Sequence, residues 1–119
     1  YNKLVVPKAL AIGPKIQNTT AKAYRAGVNI AFGSDAGVFS HGKNAKEFRY
    51  MNEAGIPVIE CLQAATIVNS KILFVDDEIG QIKEGFTADI IATSLDPTKD
   101  VKTLENVIFV MKDGEVYKN

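Results

Sequence analysis

The chain has 119 residues, 46% of them hydrophobic and 24% charged, which suits one folded domain with a core and leaves no room for a second large one. Lysine plus arginine equals aspartate plus glutamate at 14 each, so no net field draws nucleic acid or an anionic membrane surface, and no dense basic stripe appears. The single cysteine, Cys61, excludes an internal disulfide, and no apolar run approaches the length needed to cross a bilayer.

Residues 1–12 have neither a charged start followed by a long apolar core nor a small-residue cleavage site, so they do not read as a signal peptide; that absence says little about location, for which the expectation is cytoplasmic. Pro14 suits the first position of a helix, and Ile16, Thr20, Ala23 and Tyr24 recur at helical spacing. This predicts a helix over about 14–26, closed by Gly27 in the left-handed conformation. Val28-Asn29-Ile30-Ala31-Phe32 is mostly apolar on both alternating faces, the pattern of a strand buried in a parallel sheet, predicted over about 28–33. Helix, short turn and buried strand form the αβ half of a repeating β/α unit, in which sites lie in the loop at the strand's carboxyl end.

Beyond that loop, Asn44 is placed to cap a short helix with Glu47 reaching back, and Phe48, Met51 and Gly55 complete the segment. Pro57 starts a further helix predicted over about 57–73, with Val58, Cys61, Leu62, Ala65, Val68 and Ile72 on one broad apolar face. A face that wide suggests packing against a body larger than this chain supplies. From Asp76 the pattern changes to β-prone runs at 80–82, 88–92 and 106–111, giving three or four strands, and Asp113-Gly114 supplies the turn of a closing hairpin.

The loop Gly33-Ser34-Asp35-Ala36-Gly37-Val38-Phe39-Ser40-His41-Gly42 gathers a carboxylate, a hydroxyl and the only histidine directly after the buried strand. Ser34, Asp35 and His41 are the residue types of a hydrolytic triad. Adjacent residues leaving a strand point to opposite sides, however, and Ser34 lacks the flanking glycines of a nucleophile elbow. A phosphate cradle fits poorly, because no glycine-rich phosphate motif is present and Asp35 would repel the ligand. A metal-bound water is the third possibility, with Asp35 as a hard oxygen ligand that can also take a proton. A catalytic zinc needs three or more protein ligands, and the chain has no second histidine.

The run Gly27-Val28 through Gly33-Ser34-Asp35-Ala36-Gly37, with His41-Gly42, Asn44 and Glu47, resembles the last barrel strand and following loop of amidohydrolases related to imidazolonepropionases and prolidase-type dipeptidases. Ala64-Ala65-Thr66 with Asn69, then Gly80-x-Ile82-x-x-Gly85-x-x-Ala88-Asp89, and finally Val110 with Gly114 and Val116, are similar to the carboxy-terminal signature of the same family.

The resemblance implies an α/β fold. Residues 1–75 would form the carboxy-terminal part of a (β/α)8 barrel of the TIM type, with its eighth strand at about 28–33, and residues 76–119 would supply strands of a small composite β-sandwich. It implies Asp35 as a catalytic base and metal ligand, His41 facing a small-molecule or dipeptide substrate, and a divalent metal, zinc by expectation, in the intact enzyme. The family's other ligands, a His-x-His pair, a bridging lysine or glutamate and two later histidines, are not in this sequence. The resemblance therefore implies a fragment of an amide-hydrolysing enzyme that is inactive by itself.

Blander roles stand beside these. Asp35 could cap a following helix, and His41 could be a solvated loop residue. Ser34 would satisfy loop N–H groups, Cys61 would fill a small core position, and Asp89 would hydrogen-bond the turn entering its strand. The competing function is a stand-alone binding module, or a homo-oligomer that hides its open apolar surface.

Overall fold

The computed structural model describes residues 3, 5–37 and 39–119, so Val38 of the predicted site loop lies outside the described residues. Helix α1, Val5–Arg25, begins nine residues before the predicted start, and Pro14 sits inside it. The sequence expectation took Pro14 for a starting residue. Ala9, Leu10 and Ala11 favour helix strongly enough to continue it on the amino side, despite the ladder bond that a proline removes and its crowding of the carbonyl four residues before it.

The other end of α1 is as expected. Gly27 adopts φ +81°, its N–H bonds the Tyr24 carbonyl at 2.9 Å, and the Val28 N–H bonds that of Ala23 at 3.1 Å. That pair of bonds satisfies carbonyls the helix would otherwise leave open, and only a residue without Cβ enters the left-handed conformation cheaply. Gly55 repeats the device after α2, Lys46–Glu53, and delivers Ile56 into the core.

The segment predicted as a strand at 28–33 carries no ladder among the described residues. A strand needs a neighbour to exchange backbone bonds with. Here the Phe32 N–H instead reaches the Ala64 carbonyl at 3.3 Å.

The helix predicted over 57–73 appears as one helical run in three parts: α3, Val58–Gln63, a π-helical stretch, Ala64–Val68, and α4, Asn69–Ile72. Of its predicted apolar face, Cys61 is fully buried and Ile72 is exposed. Ala64 and Ser70 are buried as well. Met51, Ile56, Cys61, Ala64 and Val101 form the core, with Tyr24, Ile30, Phe32, Phe48 and Val58 packed around it.

The last third is a three-stranded antiparallel sheet in the order β1 (Ile90–Thr93), β2 (Val107–Lys112), β3 (Glu115–Lys118), with a 3-10 turn at Val101–Glu105 between the first two. The run at 80–82 forms no strand, and Ile82 is exposed. Asp113 and Gly114 both have positive φ, as a two-residue hairpin turn requires. Arg49 ties α2 to the 3-10 turn, with Nη1 3.8 Å from Glu105 and Nε 3.6 Å from Glu53.

Candidate functional site

Asp35 ends the extended segment that begins after Gly27. It is exposed and holds φ +46°, a left-handed conformation that aspartate tolerates better than most residues. His41 is exposed in a turn six residues further along the same loop. A cavity of about 350 Å³ beside this loop is lined by Gly42, Asn44, Ala45, Leu104 and Asn106, among others.

The approach to Asp35 is held at three points. The Phe32 backbone receives a hydrogen bond at its carbonyl from Asn69 Nδ2 at 3.0 Å and donates its N–H to the Ala64 carbonyl. Its ring stacks on Phe48 with centroids 4.3 Å apart. One residue before Asp35, the Ser34 hydroxyl accepts from Asn44 Nδ2 at 3.0 Å, a bond that closes the loop across ten residues.

These contacts correct two sequence expectations. Asn44 is not a helix cap, because α2 starts at Lys46, Ala45 occupies the cap position without a side-chain bond, and the Asn44 amide is committed to Ser34. Ser34 is structural as expected, yet its partner is a side-chain amide and not a loop N–H. Glu47 is half-buried without the reciprocal capping bond, and burial pushes its carboxyl above the ordinary range. It lines a cavity of about 440 Å³ between α1 and α2 with Ile16, Thr20, Tyr50 and Met51.

Asp89 serves a turn other than the expected one. Its Oδ1 accepts the Asp113 N–H at 2.8 Å, and the Gly114 N–H bonds the Ala88 carbonyl at 3.1 Å, so the start of β1 is tied to the hairpin tip. Asn69, named above only within the family signature, was given no role by residue-level reasoning. Its signal was faint, an asparagine inside a helix where that residue is a poor former.

The described residues gather no group of three or more His, Cys, Asp or Glu side chains able to hold a metal ion. A carboxylate such as that of Asp35 suits a hard divalent cation as one ligand, but the described residues do not complete a ligand set. None of the described helices is long and apolar enough to cross a membrane.

A model of the amidohydrolase family matches residues 4–117. The ochratoxinase of Aspergillus niger is 34% identical over 103 residues, 81% of this chain and 21% of that protein, so the chain spans about a fifth of this curated relative. A solved Xaa-Pro dipeptidase with methionine bound in its active site superposes with a TM-score of 0.92 at 47% identity, covering 100% of this chain and 29% of that one. A prolidase solved with N-methylphosphonate-L-proline superposes with a TM-score of 0.84 at 27% identity, over 96% of this chain and 29% of its own. With a family model matched over nearly its whole length and a fold shared with dipeptidases of that kind, the chain belongs to the amidohydrolase family.

Proposed function

We propose that the protein carrying this chain hydrolyses an amide or peptide-like C–N bond in a small molecule or dipeptide. Asp35 is its proton acceptor and one of its metal ligands, and His41 contacts substrate. In this reading residues 1–75 close a (β/α)8 barrel with 28–33 as the eighth strand, and residues 76–119 contribute strands to a small β-sandwich.

The observation that carries it is the position of Asp35, at the end of a backbone segment held in place although it has no strand partner among the described residues. Catalytic carboxylates of β/α barrels sit at the carboxyl ends of strands. Surface area supports the larger body. The chain exposes 8678 Å², whereas a compact monomer of its mass exposes about 6,300 Å².

When bound, a divalent cation, zinc by the family resemblance, supplies Lewis acidity toward water and the scissile carbonyl. The Asp35 carboxylate takes the proton of the attacking water and passes it to the departing nitrogen. His41, six residues along the loop, orients the substrate. The flanking clamps keep the carboxylate where the reaction needs it, since small displacements of a catalytic group cost large factors in rate.

Two preparations test this against Xaa-Pro dipeptides and cyclic amides with added zinc. The isolated 119-residue chain is expected to show no turnover. The intact protein is expected to turn over, and its Asp35→Asn variant to lose roughly 10²–10⁴-fold in kcat. Zinc-dependent turnover by the isolated chain, or an intact Asp35→Asn variant of undiminished activity, would overturn the proposal.

A further inference from the structure

Asn69 lies at the start of α4, 37 residues beyond Phe32 in sequence, yet its side-chain amide donates to the Phe32 carbonyl at 3.0 Å. The other backbone polar group of Phe32 is engaged too, because its N–H donates to the carbonyl of Ala64, the residue that opens the π-helical stretch. A π-helical stretch widens the helix ladder and is frequently found at functional sites. Here it coincides with a backbone carbonyl that serves the segment leading to Asp35.

We propose that Asn69 is a positioning residue for Asp35: with the Ala64 carbonyl it grips both polar groups of Phe32 and thereby fixes the backbone three residues before the carboxylate. The proposal rests on the reading of Asp35 as metal ligand and proton acceptor. Among the described residues the 28–34 segment is held by these contacts, the stack of Phe32 on Phe48 and the Asn44–Ser34 bond; in the intact protein strand pairing would fix the course of 28–33, and the Asn69 grip the placing of its carboxyl end. The grip needs an uncharged donor of this length. An aspartate at position 69 would place a carboxylate against the Phe32 carbonyl and donate nothing.

The test uses the intact, zinc-loaded protein and four variants: Asn69→Ala, Asn69→Asp, Asp35→Asn and Thr66→Ala. Asn69→Asp keeps the shape of the side chain and so guards against an Asn69→Ala variant that does not fold. Thr66→Ala removes a bond to the Leu62 carbonyl in the same helical run and serves as a control for general loosening. Zinc affinity is read by competition with a chromogenic chelator, alongside kcat, KM and melting temperature.

Both Asn69 variants are expected to bind zinc about 10–100-fold more weakly and to lose kcat by a similar factor, the size seen for groups that orient metal ligands. KM should stay within about twofold, because substrate binding is not what the clamp controls. Thr66→Ala should leave zinc affinity and kcat unchanged. Asn69 variants that retain zinc affinity and kcat while Asp35→Asn loses both overturn the positioning role alone. A Thr66→Ala variant that weakens zinc as much as the Asn69 variants also overturns it, because loosening then suffices. Undiminished zinc binding and activity in Asp35→Asn overturns the underlying reading and the proposal together.

Discussion

Phe74 occupies the left-handed position that ends α4, with φ +59°, its N–H on the Lys71 carbonyl at 3.2 Å and the Val75 N–H on that of Ser70 at 3.0 Å. Glycine fills this position in most helices of the kind, and an L side chain there costs about 1–2 kcal/mol. The ring is 90% exposed and so recovers little by packing. Phe74→Gly is expected to stabilise the chain by about 1 kcal/mol, the greater freedom of unfolded glycine offsetting part of the gain. An unchanged or lower denaturant midpoint would contradict this.

Cys61 is fully buried, and its thiol lies 3.5 Å from the Ile56 carbonyl. Burial first, and the nearby Glu60 charge second, push its pKa from 9.0 up to about 11. Because the folded pKa is raised, this group costs no stability below the unfolded value near 9. As pH rises from 9 toward 11, the unfolded state loses its proton first and stability falls. Cys61→Ala is therefore expected to flatten stability between pH 9 and 11 relative to the native sequence, as read from urea midpoints across that range. Native-state alkylation at pH 7 should be slow, since the thiolate is the nucleophile and it is disfavoured here.

At the scale of elements, the boundaries legible in the sequence are those set by local chemistry. Gly27 and Gly55 end their helices and Asp113-Gly114 turns the hairpin because a left-handed backbone is a property of one or two residues. Pro14 was misread because its local signal, a fixed φ and a missing N–H, is the same at a helix start and inside a helix that continues on its amino side. The run at 80–82 was misread because β propensity without a partner strand does not make a strand.

Gly80 shows why that segment is there. A Cβ on it would lie 2.8 Å from the Ser70 hydroxyl and 3.0 Å from the Thr66 carbonyl, at a φ of +90°. The chain after α4 thus folds back against the π-helical stretch through a contact that admits no side chain. Gly80→Ala is expected to destabilise by about 2 kcal/mol, from overpacking and backbone strain together. A melting temperature unchanged within error would contradict the close approach.

For the whole molecule, the radius of gyration is 16.0 Å where a compact chain of this length would have about 13.5 Å, and the extents are 50 × 33 × 27 Å. Leu10 at 73%, Ile16 at 61% and Ile82 at 86% exposure leave more apolar surface open than an isolated monomer ordinarily shows. The isolated chain is accordingly expected to self-associate at micromolar concentration, seen by light scattering as a mass above 12.9 kDa. A compact monomer that unfolds cooperatively would favour the competing reading of an independent module.

The sequence by itself determined where α1 and α2 stop, the hairpin, the loop that holds Asp35 and His41, and the resemblance to a family, because each of these depends on residues close together in the chain or on their order. Only the tertiary structure decided that Asn44 serves Ser34, that Asp89 serves the hairpin tip, and that Asn69 and Ala64 hold Phe32. The physical reason is common to all three. An amide or carboxylate shows in sequence that it can donate or accept, whereas its partner is chosen by which distant group the fold brings within about 3 Å.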